Sequence, residues 1–443
     1  MTSVRIAWFS PFPPCRTGIA ACSADVVTAL RSRGYAIDPY PAAAAHDFPW
    51  RHRRQPYDLV VYQFGNSSHH DYEWAYALRY PGLVVLHDTH LHHARAGFLL
   101  RERRVADYRA EFRWNHPGVS PDAAELAVAG FDSELYYEWN MVRSLVWTAR
   151  LVAVHGSLAR DRVIGKPGNR GIEDKVVAIH LGHGELVTPE RRERARKDVR
   201  AKYGIAADAV LFGCFGGITP EKRVPQVLAA LAAIRLYAPD ARLLLAGTDA
   251  AHYDVRADIA AHGLEDRVTM TGYLDDDRDL ADHLAACDVS LNLRWPTAGE
   301  TSGPWLRALA AGVATVTTDL VHLGDVPSLD PRTWAARTAA APVTIAIDIL
   351  DEDHSLRLAM RRLATDPALR EQLGRAGQAY WQREHTVVMM ADDYERIIEQ
   401  AIARPAGRPF DTPHDEAPPV HIDDAGERRL RALLEPFGIG DPF

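Results

Sequence analysis

Glu300 is a lone acid in a small, polar stretch, RWPTAGETSGPWLRALAAG (294–312). Pro304 suits a first helical turn, where its missing N–H costs little, and Gly312 suits a helix end. An acid just before a helix start offers two kinds of contact. Its oxygens accept hydrogen bonds from hydroxyl groups. The amides and dipole of the helix start, drawn from Thr301, Ser302, Gly303 and Trp305, attract an anion. Hydroxyls beside phosphate are what a sugar diphosphate presents. The plainer alternative, that Glu300 only caps backbone amides, stays open beside it.

Two more loops carry chemistry of this kind. In SPFPPCRTGIA, Gly18 lets backbone approach a ligand near a helix start, although one glycine in a turn is no dinucleotide fingerprint. In FGGITPEKRVPQ, Gly216 and Gly217 give clearance beside Lys222 and Arg223, two cations suited to a diphosphate. The stretch lacks the GK[ST] ending of a P-loop, and a solvated helix start is the alternative. Histidines mark other strand ends: His87 in VVLHD, His180 and His183 in VAIHLGHG, and His69 and His70 in NSSHHDY. HDTHLHH has the composition of a metal cluster, but His90, His92 and His93 are expected on different faces of a turn. The acids of LDDDRD (274–279) fit a helix start as well as a metal, so no metal is expected.

Loops like these need strands behind them. RIAWFSPF, DLVVYQFG, PGLVVLHD, ARLVAVHGS and KVVAIHLG are short apolar runs separated by helical segments. A second series follows: AVLFGCFG, ARLLLAG, RVTMTGYL, CDVSLNLR and VATVTTD. Such runs, buried on both faces, indicate parallel βαβ sheets. The expected fold is α/β, with two Rossmann-like, doubly wound lobes facing a ligand cleft. The first lobe spans 1–184, with a helical insertion near 100–145, and the second spans 185–378. One long helix over 379–403 returns to the first lobe, and 404–443 is a tail rich in proline and charge.

The 443 residues suffice for two such domains. A net charge of -8 argues against nucleic acid as a partner. Four scattered cysteines fit neither a zinc pattern nor a disulfide framework. The chain opens without a signal-peptide pattern and holds no run long enough to span a bilayer, so a cytoplasmic protein is expected, with peripheral membrane contact left open.

From about residue 5 to 400 the chain resembles the retaining glycosyltransferases of family 4, of the GT-B class, and within them a bacterial saccharide-assembly subgroup suggested by GNSSHHDY and ETSG. The resemblance implies sugar transfer from a nucleotide-diphosphate sugar, without a cofactor or metal, to a saccharide acceptor that includes lipid-linked saccharides. His87 stands where the family's donor-sugar histidine does, Lys222 matches the diphosphate lysine, and Glu300 matches the first of two glutamates. The second glutamate falls on Ala308 and the diphosphate arginine on Gly217. Arg223 or Arg294 is then expected to replace that charge, and Ala308 to mark altered ribose recognition. His87 and Glu300 are the expected catalytic pair. On the acceptor side, Asn66, His70 and Tyr72 are expected to bond sugar hydroxyls. Part of the insertion, with Tyr108, Phe112, Trp114, Tyr136, Tyr137 and Trp139, either joins them or forms its own core. The rivals are a sugar-nucleotide epimerase on the same fold and a catalytically degenerate protein that binds a sugar nucleotide or a partner.

Overall fold

The computed structural model describes residues 4–131, 135–166, 169, 171–320, 323–405 and 431–438. Most of the tail expected at 404–443 lies outside the described residues. Two parallel sheets organise the chain. The first contains β1 (Arg5–Phe9), β2 (Ala36–Tyr40), β3 (Leu59–Phe64), β4 (Leu83–Leu86), β5 (Leu151–His155) and β6 (Val176–Ile179), in the order β2-β1-β3-β4-β5-β6. The second contains β7 (Leu211–Phe215), β8 (Arg242–Ala246), β9 (Val268–Met270), β10 (Val289–Asn292), β11 (Ala314–Thr318), β12 (Ser328–Leu329) and β13 (Thr344–Ile347), in the order β12-β13-β11-β10-β7-β8-β9.

The order matters because open α/β sheets bind ligands at the carboxyl ends of strands where the winding reverses. In the first sheet the chain runs from β1 out to β2, then back past β1 to β3. The reversal exposes the loops after β1 and β3. In the second it runs from β7 through β8 to β9, then returns to β10 on the other side of β7. The loops after β7 and β10 are those of Gly216 and Arg294.

Each sheet has its own core. All six residues of β3 are buried, as a strand covered on both faces requires. Phe9 anchors an aromatic cluster, with its ring 5.0 Å from Phe48, 5.0 Å from Tyr62 and 4.9 Å from Tyr76. The second core is mainly aliphatic, with Leu243, Leu245, Val289, Val316 and Ile345 packed around Phe212. Burying each such side chain contributes about 1.5–3 kcal/mol.

By contacts the chain divides into one unit of Met1–Leu181, Thr297–Thr301 and Val387–Phe443, and a second of Gly182–Pro296 and Ser302–Thr386. The helix expected across 379–403 is two helices, Pro367–Glu384 and Val387–Ala403. The β-branched run Thr386, Val387 and Val388 sits at the break, where it disturbs a helix least. Strands β2 and β12 carry no strong sequence signal, whereas β13 is a buried β-branched run, TIAI, that is not among the expected strands; β2 is an edge strand that tolerates Pro39. Among the described residues no helix is long and apolar enough to cross a membrane.

Candidate active site

In the second unit, β7 ends in a turn that needs glycine. Gly216 has φ +95°, a left-handed conformation. A Cβ there would stand 2.1 Å from Lys222 Nζ and 3.9 Å from Pro304 Cγ. The glycine turn, the Lys222 ammonium and the first turn of the helix Gly303–Ala310 therefore converge on one spot. Lys222 Nζ donates to the Phe215 carbonyl at 2.9 Å, and Thr219 accepts the Lys222 N–H at 3.3 Å. Ser302 caps the helix by accepting the Trp305 N–H at 3.3 Å. Beside Gly217 the space is open, with Thr219 Cγ2 3.7 Å from a built Cβ.

Other residues expected at this site have different surroundings. Arg223 sits in the left-handed region at φ +59° and turns its guanidinium onto the buried Glu352, with Nε 2.7 Å from Oε1 and a second bond from Nη2 to Oε2. Its charge is neutralised there, which removes it as the replacement for an arginine at 217. Arg294 is half-buried, and its backbone N–H donates to Thr318 Oγ1 at 3.0 Å. The Trp305 indole lies in the core and donates to Thr315 Oγ1 at 3.3 Å, so neither its ring nor its capped N–H faces a ligand.

Ala308 corrects the expectation of altered ribose recognition. It is 0% exposed and packs with Leu211, Phe215, Leu284 and Val313, in core rather than in a pocket. The polar position on that helix is Arg307. Its Nε donates to His183 Nε2 at 3.0 Å and its Nη2 to Asp277 Oδ1 at 2.9 Å. Burial, with the Arg307 charge adding, pushes the His183 pKa down to about 3, so the imidazole is neutral and able to accept.

In the first unit, Thr17 caps the helix Gly18–Ser32 by accepting the Ala20 N–H at 3.1 Å. Gly18 faces open space, with no atom within 4 Å of a built Cβ. His87 follows β4, and its Nε2 lies 2.7 Å from Gln63 Oε1. The same oxygen accepts from the Tyr394 hydroxyl at 3.1 Å. An oxygen accepting twice places the His87 proton on Nε2. The His155 ring, at the end of β5, lies 4.8 Å from that of His87.

The Glu300 segment groups with this unit. Glu300 is half-buried, and its Oε2 accepts from Thr297 Oγ1 at 2.9 Å. The Ala298 carbonyl accepts the His90 N–H at 3.1 Å and the Thr89 hydroxyl at 3.2 Å. Thr301 is also half-buried. Gly299, at φ +79°, allows close approach: a Cβ would stand 2.3 Å from Thr89 Oγ1 and 3.3 Å from Arg162 Nη1. Arg162 is a residue that sequence inspection passed over. Burial lowers its pKa, opposed by the Glu300 charge, and among the described residues no hydrogen bond or ion pair holds its guanidinium. Its signal was its place on the helix following β5, a strand-end loop like the three that were read. Gln63 was missed too; a glutamine in a fully buried strand was the clue.

The polar groups of the 65–72 loop are bonded to neighbouring elements of the same unit. Asn66 donates its backbone N–H to Asp88 Oδ2 at 2.6 Å and accepts the Ala94 N–H on Oδ1 at 2.9 Å. Tyr72 donates its hydroxyl to the Tyr40 carbonyl at 2.9 Å. His70 is buried, with Nδ1 2.9 Å from Glu73 Oε1. Burial pushes His70 down to about 3 and Glu73 up, so the pair is neutral and its ring is not on the loop surface where an acceptor would meet it. Tyr108, Phe112, Trp114 and Tyr136 are buried within the insertion, while Trp139 is half-buried. His92 bonds Tyr108 at 2.8 Å, and His93 stacks on Tyr136. Asp276 caps a helix through the Arg278 and Asp279 N–H groups.

Residues 209–339 match the family described as Glycosyl transferases group 1. That segment contains Gly216, Lys222, Glu300 and the helix after it. No curated protein sequence matches the chain. Solved structures do. Anabaena HepE, in complex with UDP and glucose, is 16% identical with a TM-score of 0.58, over 89% of this chain and 99% of its own. Sucrose-phosphate synthase from Thermosynechococcus elongatus is 16% identical with a TM-score of 0.61, over 90% and 99%. WaaG, a glycosyltransferase involved in lipopolysaccharide biosynthesis, is 15% identical with a TM-score of 0.58, over 89% and 99%. The fold is of the GT-B class. At these identities the likeness is one of fold.

Proposed function

We propose that the chain transfers a sugar from a nucleotide-diphosphate sugar to a saccharide, free or lipid-linked, with retention at the anomeric carbon. The observation that carries this reading is the convergence of Gly216, Lys222 and a capped helix start within the segment that matches a glycosyltransferase family. That arrangement suits a diphosphate: clearance, an ammonium and a positive dipole end. In this reading Lys222 and the helix start stabilise the leaving diphosphate without a metal ion. Glu300, oriented by Thr297 and with the Arg162 charge nearby, accepts from donor-sugar hydroxyls. His87, held by Gln63 and Tyr394, orients the sugar.

The test is a panel of nucleotide-diphosphate sugars read by thermal shift, since a donor stabilises the folded state by mass action. Each stabilising donor is then followed for transfer to saccharides, in the presence of chelator. One donor class should raise the melting temperature and support transfer, and NMR of the product should show retention. If no donor shifts the transition, the reading fails. Loss of activity in chelator, with rescue by a divalent ion, would remove the metal-free part. A second reading, binding without turnover, is favoured by Gly217 together with the Arg223–Glu352 pair. Donor binding with no transfer to any saccharide would select it.

A further inference from the structure

The insertion between β4 and β5 and the segment before β6 together line a polar cavity of about 180 Å³, with Asn115, His116, Trp139 and Arg143 from the first and Lys166 and Asn169 from the second. At about 30 Å³ per molecule it would hold roughly six waters. Three features of its wall are unusual together. Trp139 lines the cavity and is half-buried, meeting Phe112 of the insertion's core in a T-shaped contact at 5.4 Å, while Tyr108 and Phe112 are fully inside that core. Asn169 is 1% exposed, and its Nδ2 donates to the Val163 carbonyl at 2.8 Å. That bond fixes the amide, and leaves Oδ1 as a buried acceptor with no hydrogen-bond partner among the described residues. An unpartnered buried acceptor costs about 1–3 kcal/mol. Lys166 is half-buried, and no hydrogen bond or ion pair among the described residues holds its ammonium. Arg143 adds a second cation, fixed on the Trp114 carbonyl and stacked 4.7 Å from the Trp114 ring. Burial beside Lys166 and Arg143 keeps His116 neutral, so it adds no charge. Glu138, exposed at the rim, is the acid of the lining.

We propose that this cavity is a subsite for an acidic sugar residue of the acceptor. An apolar ring face, a hydroxyl donor and an anionic substituent on one small body answer the three features. The ring stacks on Trp139, a hydroxyl donates to Asn169 Oδ1, and a carboxylate accepts from Lys166. Neutral sugars lack the group that Lys166 would hold, and a free inorganic anion lacks the ring. The assignment of the residue to the acceptor rests on the transferase reading above; the binding itself does not.

Isothermal titration with two tetrasaccharides tests it, one ending in glucuronic acid and the other in glucose. At low salt the acidic probe should bind at least about tenfold more tightly, and added salt should narrow the gap. Lys166→Ala should erase the preference while leaving neutral binding unchanged, and Trp139→Ala should weaken both probes. Lys166 is half-buried and bonded through its side chain to no described residue, so its variant keeps the test sound if Trp139→Ala fails to fold. Equal binding of the two probes, or a preference that survives in Lys166→Ala, overturns the proposal. Nucleotide-sugar thermal shifts on the same samples separate the two readings. A donor shift with no acidic preference sinks the subsite alone. Acidic binding at Lys166 with no donor shift sinks the transferase reading and leaves the cavity's ligand in place.

Discussion

The two sheets end in rims of opposite character. After β7, glycine opens the backbone beside an ammonium and a helix start. After β3 and β4, the polar side chains are bonded to one another: His87 to Gln63, Gln63 to Tyr394, and His70 to Glu73. At the first kind of rim the Lys222 ammonium fills the space that a side chain at 216 would take. The second kind holds its rings in place by hydrogen bonds and supplies direction rather than charge. The first kind of rim suits charge and the second suits orientation.

The largest expected effect lies just behind the open rim. Ala308→Glu places a carboxylate among Leu211, Leu284 and Val313 with no partner. It should destabilise the fold by more than about 3 kcal/mol, a shift easily seen in a urea midpoint. An unchanged midpoint would mean that Ala308 faces an open pocket after all, and would restore it to ribose recognition.

Lys222→Ala comes next, because it removes charge from the open rim without touching the core. Binding of nucleoside diphosphate and of intact donor should both fall about tenfold to a hundredfold, roughly 1.5–3 kcal/mol for a bond to a charged group. A loss confined to the sugar moiety, with the diphosphate bound as before, would assign Lys222 to the wrong part of the donor. Glu300→Gln keeps the shape and removes the charge. Turnover should drop at least about tenfold, corresponding to roughly 1.4 kcal/mol, with the melting temperature near wild type. Wild-type kinetics with a proven donor would take Glu300 out of the site.

Much of this contrast is legible in sequence, and the exceptions have physical causes. The ten apolar runs are legible because strands buried largely on both faces are rich in β-branched, aliphatic and aromatic residues, a pattern visible without contacts. Gly216 and Lys222 are readable because a βα turn brings sequence neighbours together. Ala308 was misread because counting along a helix does not reveal its face. One residue away, Arg307 lies beside His183 and Asp277, while Ala308 points into the core. Arg223 was misread because its partner, Glu352, is 129 residues distant. Gln63 and Arg162 were missed for the same reason: each acquires its meaning from side chains brought up by other elements.

The smallest expected effect probes the bonded rim through acid. Asp393, on the helix Val387–Ala403, accepts the His180 backbone N–H and lies 2.7 Å from its Nδ1, both at Oδ2. Arg396 Nη2 donates to Oδ1 at 2.6 Å. Burial by itself would raise the Asp393 pKa, but the bonds from His180 and Arg396 outweigh it and hold the carboxyl down at about 2. A folded value below the ordinary 3.8 means that the carboxylate is worth more folded than unfolded. Its contribution is therefore complete above about pH 4 and is lost as pH falls through about 2. The site is partly open to solvent, so screening limits the contribution to about 1 kcal/mol. Asp393→Asn should be less stable than wild type by that amount at pH 7, and the gap in urea midpoint should close between pH 4 and 2. A gap of constant size across that range would show that the helix is held to β6 by packing alone, and that the bonded rim does not depend on this charge.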